Sequence, residues 1–381
     1  MSTPARKIRV LIVDDSAIVR RILTDTLKGE PDLEVVAAVP DPIAARQSIA
    51  ALHPDVITLD IEMPIMDGIT FLRELMATTP IPAIIISSVA QAGCDRAMQA
   101  LEAGAVEVVA KPGGPFSVSD LRLLLPQQVR AAANAKVQLR SGPTPAAGPP
   151  GATPAPLQSP STVSPPWRRT LTRSTAVRGS GSATLVAIGA STGGTEAVKE
   201  VLTQLPSDFP PVLVVQHIPA GFSNSFAKRL NALSPLDVRE ASDGDKVLPG
   251  TVLIAPGDRH MVLQRIAGQF SVRLDSGPRV CYQRPSVDVL FNSVAALCGP
   301  AAVGVILTGM GNDGAEGLLH MREAGARTIG QDESSCVVYG MPKEAARCGA
   351  VETVLPLSRI ADGILRLVRT PSTPVAAGRA S

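Results

Sequence analysis

Three polar residues in the second half of the chain stand where chemistry at a carbonyl carbon is possible. Ser191 lies in G-A-S-T-G-G, His217 directly follows the apolar run V-L-V-V-Q, and Asp313 lies in T-G-M-G-N-D-G. A serine hydroxyl becomes a nucleophile when a histidine takes its proton, and a carboxylate that orients the histidine completes the set. The chain order of the three does not decide the matter, because such sets are defined by geometry.

These three residues are expected to meet at one edge of a parallel sheet. Each follows an apolar segment with the composition of a buried strand, and ligands bind outside the carboxyl ends of such strands. Glycines permit tight turns from strand to helix and let a substrate approach the backbone. Backbone amides in these turns, one near Met310 and another near Ser191 or Thr192, are candidate donors to a developing oxyanion.

A glycine-rich turn after a strand has a second common use, which is to hold the phosphate of a nucleotide. The segment around Ser191 lacks both G-x-G-x-x-G and G-K-[ST], so the two usual nucleotide fingerprints fail. The residues therefore favour a serine hydrolase and leave open a phosphate-binding domain or a domain without catalysis. Of the other histidines, His53 is expected on a loop surface and His320 on a helix face, while His260 follows a turn compatible with a place in the site.

A second group of polar residues lies at strand ends in the first part of the chain. Carboxylates, hydroxyls and an ammonium end four of the five apolar runs there, and they are Asp14, Asp15, Asp60, Ser87, Ser88 and Lys111. Because clustered carboxylates repel one another and oxygen ligands suit Mg²⁺, this edge predicts a magnesium site. The cation and Lys111 would neutralise a phosphoryl group that arrives on Asp60.

The order of the apolar runs predicts two α/β domains, each with a doubly wound parallel sheet. Continuous apolar strands alternate with helix-spaced segments over residues 7–125 and again over 183–370, which indicates sheets covered on both faces. The first is expected to be flavodoxin-like, and the second Rossmann-like with an antiparallel insertion. Residues 126–182 hold nine prolines between Pro143 and Pro166 and are interpreted as a flexible linker.

Composition and charge exclude several classes of function. Of 381 residues, 45% are hydrophobic and 3% are aromatic. The formal net charge is only +2, so the charge does not indicate binding to nucleic acid or to anionic lipid. The five cysteines form no C-x-x-C pair, which favours a reducing compartment over a disulfide framework or a zinc site. The first residues do not form a signal peptide, and no apolar run reaches the roughly 18–20 residues of a membrane span. We therefore expect a cytoplasmic protein.

The first domain resembles the receiver domain of two-component response regulators. The segments that carry the resemblance are D-D-S near the start, D-I-E-M-P-I-M-D-G and A-K-P. It implies that Asp60 accepts a phosphoryl group from a histidine kinase of the CheA type. Ser87 is assigned the switch hydroxyl, with Ser88 as the alternative, and Lys111 the partner lysine of the phosphoryl group. The ligands implied for Mg²⁺ are Asp14, Asp15, Asp60 and the backbone carbonyl of Glu62.

The second domain resembles the chemotaxis protein-glutamate methylesterases, the CheB family, in which a receiver precedes the catalytic domain. The motifs are I-G-A-S-T-G-G, Q-H-I-P-A-G-F, R-P-S-V-D-V-L-F, T-G-M-G-N-D-G and D-E-S-S-C-V-V-Y-G-M-P. The resemblance implies hydrolysis of glutamate methyl esters on methyl-accepting chemoreceptors, with release of methanol, and deamidation of receptor glutamines. It implies no cofactor for the hydrolysis.

The same resemblance assigns roles to individual residues. Ser191 is the nucleophile, His217 the base and Asp313 the carboxylate that orients the base. Met310 supplies a backbone amide to the oxyanion, and Thr192 helps to position His217.

Regulation is expected to act through the contact between the two domains. The unphosphorylated receiver should cover the Ser191 edge, and phosphorylation of Asp60 should shift the population towards an open arrangement. A receptor-binding module that is gated by phosphorylation but lacks catalysis is the alternative. A DNA-binding response regulator is disfavoured, because the charge is near neutral and no helix-turn-helix is visible. A monomer is the expected state.

Overall fold

The computed structural model of the protein describes residues 6–112, 118–137 and 185–369. The predicted linker at 126–182 lies outside the described residues from residue 138 onward, and so does the tail after residue 369. The described residues form two α/β units, one before the linker and one after it.

The first unit is a five-stranded parallel sheet with the order β2-β1-β3-β4-β5. Its strands are β1 (Ile8–Val13), β2 (Leu33–Val39), β3 (Val56–Asp60), β4 (Ala83–Ser87) and β5 (Glu107–Ala110). Its helices are α1 (Ala17–Leu27), α2 (Pro42–Leu52), α3 (Gly68–Thr78), α4 (Gln91–Ala103) and α5 (Val118–Ala133). This arrangement confirms the predicted flavodoxin-like fold.

The continuous apolar runs of this unit are explained by helices on both faces of its sheet. In β1, Leu11 and Val13 point into one core cluster, whereas Val10 and Ile12 point into another on the opposite face. Alternating side chains of a strand face opposite ways, so a strand covered on both sides needs apolar residues at every position.

The second unit is built on a seven-stranded parallel sheet with the order β14-β13-β12-β6-β7-β9-β8. Its strands are β6 (Leu185–Ala190), β7 (Val212–Gln216), β8 (Asp237–Glu240), β9 (Thr251–Ile254), β12 (Ala302–Ile306), β13 (Arg327–Gln331) and β14 (Thr353–Leu355). The predicted antiparallel insertion is confirmed as the hairpin of β10 (His260–Ile266) and β11 (Gln269–Asp275). The helices are α6 (Gly194–Leu202), α7 (Phe222–Leu233), α8 (Val287–Cys298), α9 (Ala315–Glu323), α10 (Met341–Arg347) and α11 (Leu357–Arg369).

The strand order reverses at β6, which pairs with β7 on one side and with β12 on the other. The chain leaves β6 in one direction to form β7 and returns much later to form β12. A sheet of this kind opens a crevice at the carboxyl ends of the strands where the order reverses. Ser191 follows β6 directly, and Asp313 lies in the turn after β12, so both residues stand at this crevice.

Helix α8 reaches the same crevice because one residue of β6 has no side chain. A Cβ atom added to Gly189 would lie 2.2 Å from Cγ1 of Val287, the first residue of α8. Any larger residue would therefore push the helix away. The side chain of Ser286 caps the helix by accepting a hydrogen bond from the Val289 amide at 3.4 Å.

The first unit ends in the long helix α5. The boundary predicted at residue 125 falls inside α5, which continues to Ala133 although Pro126 interrupts its hydrogen-bond ladder. The helix continues because Val129 and Ala132, beyond the proline, are buried in the same core cluster as Leu121. At 16 residues α5 is the longest described helix, and none of the described helices has the length and apolar composition to cross a membrane.

The two units are in direct contact through α4 and α7. Arg229 of α7 donates to the carbonyl oxygen of Met98 at 3.1 Å and forms an ion pair with Glu102. The side chain of Gln91 donates to Ser225 Oγ at 2.9 Å. These contacts hold α4 of the first unit against α7 of the second.

Candidate functional site

Ser191 and His217 are neighbours because they follow paired positions of adjacent strands. Ala190 of β6 pairs with Gln216 of β7, and the next residues are Ser191 and His217. The His217 amide donates to the Ala190 carbonyl at 3.0 Å. The buried amide of Gln216 donates from Nε2 to the carbonyls of both Ser191, at 2.9 Å, and His217, at 3.1 Å. One side chain therefore fixes the two backbones against each other.

Asp313 is held by four hydrogen-bond donors. Its Oδ2 accepts from His217 Nε2 at 2.7 Å and from the Val287 amide at 2.8 Å. Its Oδ1 accepts from Ser286 Oγ at 2.7 Å and from the Asp288 amide at 3.1 Å. Three of these donors belong to the start of α8, where the helix dipole also favours a negative charge.

These contacts keep the Asp313 carboxylate ionised. Burial alone would raise its pKa, but the hydrogen bond and charge of His217, with the donors from Ser286 and Val287, lower the pKa below its ordinary value. Because an ionised carboxylate only accepts hydrogen bonds, His217 carries its hydrogen on Nε2.

That tautomer leaves the second ring nitrogen of His217 free to take a proton. Nδ1 is buried and has no hydrogen-bond partner among the described residues. Ser191 and His217 are only 7% and 9% exposed, and both line the same cavity. A buried acceptor nitrogen that shares a cavity with a serine hydroxyl is compatible with general-base activation of the serine.

The backbone around Ser191 is fixed by the turn after β12. The Ser191 amide donates to the Thr308 carbonyl at 3.0 Å, so it is not available to a substrate. A Cβ atom on Gly309 would lie 2.6 Å from Ser191 Cβ, and the two turns touch only because that residue is glycine. The amides of Thr192 and Met310 have no protein partner in the part of the chain that the structure describes. These two amides are the available donors next to the serine.

A cavity of about 530 Å³ lies over these groups, and residues of both units line it. The second unit contributes all of the residues discussed above that face it, namely Ser191, Thr192, His217, Met310 and Asp313. The first unit contributes residues of β5, of the loop after β4 and of α5, namely Val89, Glu107, Ala110, Asp120, Leu124, Gln127, Gln128 and Ala131. The receiver-like unit thus lies over the predicted catalytic edge.

A buried carboxyl of the first unit reaches into this region. Glu107, the first residue of β5, accepts a hydrogen bond from Thr192 Oγ1 at 2.9 Å. Burial raises the pKa of Glu107 to about 7, although hydrogen bonds from the Val108 amide and from Thr192 oppose the shift. The Thr192 hydroxyl therefore donates to Glu107 of the other unit. That Thr192 helps to position His217 stays a prediction.

The acidic edge of the first unit has the predicted composition. Asp14, Asp15 and Asp60 each bring one carboxylate oxygen within 4.8 Å of the others. Lys111 Nζ lies 2.7 Å from Asp60 Oδ2 and 3.5 Å from Asp14 Oδ2. Burial, followed by the charge of Asp60, raises the pKa of Asp14 to about 6. Burial also raises the pKa of Asp60 against the opposing hydrogen bond and charge of Lys111.

This edge fits a magnesium ion. Asp14 Oδ2 is buried and accepts no hydrogen bond from any described residue, and its ion-pair partner Lys111 Nζ is 3.5 Å away, so this oxygen is available to a metal ion. The donor set is made of oxygen atoms only, which Mg²⁺ prefers. At the end of β4, Ser87 is buried and donates to the Gly93 carbonyl at 3.1 Å, whereas Ser88 is partly exposed. The choice between these hydroxyls stays a prediction.

Comparison with known proteins agrees with this geometry. The CheB methylesterase family model matches residues 186–364, and the response regulator receiver domain model matches residues 10–122. A protein-glutamate methylesterase/protein-glutamine glutaminase 2 from Syntrophus aciditrophicus (strain SB) is 51% identical over 362 residues, which cover 95% of this chain and 99% of that protein. The chain belongs to the CheB methylesterase family.

Two further proteins are similar to the whole or to part of this span. A protein-glutamate methylesterase/protein-glutamine glutaminase 4 from Anaeromyxobacter dehalogenans (strain 2CP-C) is 52% identical over 362 residues, which cover 95% of each chain. The crystal structure of the Thermotoga maritima CheB methylesterase catalytic domain is 40% identical, covers 49% of this chain and 99% of its own, and gives a TM-score of 0.48.

Sequence reasoning missed several residues that complete the site. Glu107 interrupts an otherwise apolar strand, V-E-V-V-A, and that interruption was a usable signal. Gln216 is the polar last residue of β7, and Ser286 is a serine before an apolar helix, which is a typical N-cap pattern. Of the remaining histidines, His320 bonds to Asn292 on a helix face, and His53 ends α2 in a left-handed conformation.

Replacing Asp313 tests the importance of the four donors. We expect Asp313→Asn to lower the free energy of unfolding of the second unit by about 3 kcal/mol, because an amide accepts with one atom only and leaves buried donors unpaired. Urea denaturation followed by circular dichroism measures the change. The matched control is Asp362→Asn, whose carboxylate is 58% exposed, and it should change the free energy by less than about 0.5 kcal/mol. Equal effects of the two variants would contradict this account.

Proposed function

We propose that the protein hydrolyses glutamate methyl esters on methyl-accepting chemoreceptors, releasing methanol, and that it deamidates receptor glutamines. The observation that supports this most is the buried hydrogen bond between His217 Nε2 and Asp313 Oδ2, made beside Ser191 in one cavity. The names of relatives that are 51% and 52% identical to this chain describe both activities. The proposal assigns the nucleophile to Ser191, the base to His217 and the orienting carboxylate to Asp313.

The first half of the reaction forms an acyl-enzyme. Ser191 Oγ attacks the ester carbonyl carbon while His217 takes the hydroxyl proton on Nδ1, its unpaired ring nitrogen. Charge develops on the carbonyl oxygen, and the amides of Thr192 and Met310 donate hydrogen bonds to it. The bond from carbon to the methoxy oxygen then breaks, and His217 gives its proton to that oxygen, so methanol leaves.

The second half regenerates the enzyme. A water molecule attacks the acyl carbon while His217 takes one of its protons, and the bond to Ser191 Oγ breaks as that oxygen is reprotonated. The product is a glutamate side chain. With a glutamine substrate the same steps release ammonia in place of methanol. Throughout, Asp313 stays ionised and stabilises the imidazolium that forms twice in each turnover.

Access of the receptor to Ser191 is controlled by the receiver. The substrate carbonyl lies on a chemoreceptor, which is far larger than a 530 Å³ cavity, so the docked receiver must move before the reaction. Phosphorylation of Asp60 stabilises the arrangement in which the receiver has left the site. This movement has to break the hydrogen bond that Thr192 of the second unit donates to Glu107 of the receiver.

The phosphorylation site needs a cation. Asp14, Asp15, Asp60 and the Glu62 carbonyl would hold Mg²⁺, which when bound offsets the negative charge of the phosphoryl group. Lys111, 2.7 Å from Asp60 Oδ2, adds a second positive charge, and Ser87 supplies the switch hydroxyl. The phosphodonor is a histidine kinase of the CheA type. We place the monomeric protein in the cytoplasm, which agrees with its five free cysteines.

The assignment of the nucleophile is tested by one substitution. Ser191→Ala removes the attacking oxygen, so we expect methanol release from methylated receptors to fall by about four orders of magnitude or more, with circular dichroism unchanged. The matched control is Ser234→Ala, which removes another buried hydroxyl, bonded to the Leu202 carbonyl at 3.2 Å. Retained activity in Ser191→Ala would leave a phosphorylation-gated binding module as the better description.

The phosphorylation site is tested by the response to a small phosphodonor. We expect Asp60→Asn to abolish the stimulation of methanol release by acetyl phosphate and Mg²⁺, because an amide does not accept the phosphoryl group. The control is Asp25→Asn on α1, whose carboxylate is 55% exposed and should leave the stimulation intact. If Asp60→Asn is still stimulated, another residue is the acceptor.

Docking of the receiver should depend on pH through Glu107. The pKa of Glu107 is about 7 when docked and is expected near its ordinary 4.5 once the carboxyl is solvated. The docked form therefore binds the proton more tightly, so docking is strongest below pH 4.5 and weakens as the pH rises towards 7. Above that value the dependence levels off.

Replacing Glu107 should remove this dependence. In Glu107→Gln the side chain stays neutral at every pH and still accepts from Thr192. We expect the ratio of basal methanol release, wild type over Glu107→Gln, to rise by up to about tenfold between pH 6 and pH 8. Glu34→Gln, on the exposed face of β2, serves as the control. A ratio that is constant with pH would contradict the assignment.

A further inference from the structure

A chain of buried hydrogen bonds extends from the Asp313 carboxylate away from His217. Ser286 Oγ donates to Asp313 Oδ1 at 2.7 Å. The Ser286 amide donates to His260 Nδ1 at 3.1 Å, and His260 Nε2 donates to the Pro278 carbonyl at 2.9 Å. His217 therefore shares its carboxylate partner with a serine that a second histidine holds.

The direction of each bond in this chain is fixed by chemistry. The Pro278 carbonyl only accepts and the Ser286 amide only donates, so His260 is neutral with its hydrogen on Nε2. Ser286 and His260 are 0% and 3% exposed, and water does not compete for these bonds. Ser286 has one hydroxyl hydrogen, and it is used on Asp313.

We propose that Ser286 is a positioning residue for the hydrolytic reaction: it orients the Asp313 carboxylate and limits the strength with which that carboxylate accepts from His217. This inference rests on the proposed function, since it assigns Ser286 a part in the work of the Ser191, His217 and Asp313 set. Ser286 touches neither the substrate nor the reacting atoms, and it acts through Asp313.

Capping of helix α8 does not by itself explain why a serine is needed at position 286. Its Oγ accepts from the Val289 amide at 3.4 Å, a long hydrogen bond, whereas its donation to Asp313 is 0.7 Å shorter. Glycine is nearly as good as serine at a helix N-cap, and it lacks the hydroxyl. Ser286→Gly therefore removes the bond to Asp313 and spares the start of the helix.

The expected direction of the effect follows from the charge on the carboxylate. Without the hydrogen bond from Ser286, the Asp313 carboxylate accepts a stronger hydrogen bond from His217. It then stabilises the protonated His217 ring more, so that the ring stays protonated up to a higher pH. Less of the enzyme then has the neutral imidazole that activates Ser191, so activity at low pH is lost first. Three other titratable groups face the Asp313–His217 pair, namely Asp288 from α8, Cys281 from the loop before it and Glu107 from β5.

The test compares Ser286→Gly and Ser286→Ala with wild type in the full-length chain. We expect kcat/KM for methanol release to fall roughly 10- to 100-fold, and the acid limb of its pH profile to move to higher pH. The proton on His217 Nε2, observed by NMR in ¹⁵N-histidine protein, should move to lower field. Ser293→Ala removes a second hydroxyl of α8, bonded to the Leu290 carbonyl at 2.7 Å, and should change none of these.

Two outcomes would overturn the inference. In one, both Ser286 variants match Ser293→Ala. In the other, the rate falls but the acid limb and the His217 proton stay in place, which would reduce Ser286 to a helix cap. The proposed function is tested separately by wild type and Ser191→Ala: if wild type releases no methanol, that proposal fails, while the NMR comparison still decides whether Ser286 acts on the Asp313–His217 bond.

Discussion

The architecture of the second unit around its crevice depends on the hydrogen bond from His217 to the buried Asp313 carboxylate. A carboxylate without solvent requires donors on both oxygens, and the start of α8 supplies three of the four. The helix lies close enough because Gly189 leaves room for Val287. Strands β6, β7 and β12 must then be adjacent and parallel, so that their carboxyl ends bring serine, histidine and aspartate to one crevice.

The first unit connects its acidic edge to this crevice through a single short strand. Lys111, which contacts Asp60, directly follows β5, and Glu107, which contacts Thr192, begins it. At roughly 3.3 Å per residue the two contacts are about 13 Å apart along one strand. A change in charge at Asp60 that moves Lys111 therefore acts on the strand that covers the cavity. Glu107 lies on the edge strand of the first sheet, where the second unit buries its carboxyl. Ionisation of this buried carboxyl weakens the docking of the first unit on the second.

Much of this arrangement was open to prediction, because it follows from strand patterns. Continuous apolar runs gave the two parallel sheets, and polar residues at their ends gave the acidic edge and the convergence of Ser191, His217 and Asp313. The contacts that were missed depend on which units touch: Glu107 looks like an exposed edge residue until the second unit covers it. The boundary predicted at residue 125 falls inside α5, because Val129 and Ala132 are buried beyond Pro126 and keep the helix intact.

The claim on which this account depends is that the Asp313–His217 bond activates one serine, and a fluorophosphonate tests it most directly. The full-length chain is incubated with the reagent, digested and mapped by mass spectrometry, with and without acetyl phosphate and Mg²⁺. The account predicts a single modified residue, Ser191, labelled faster in the phosphorylated protein and not labelled when His217 is replaced by glutamine. Labelling at other serines, or labelling of Ser191 that is independent of His217, would contradict it.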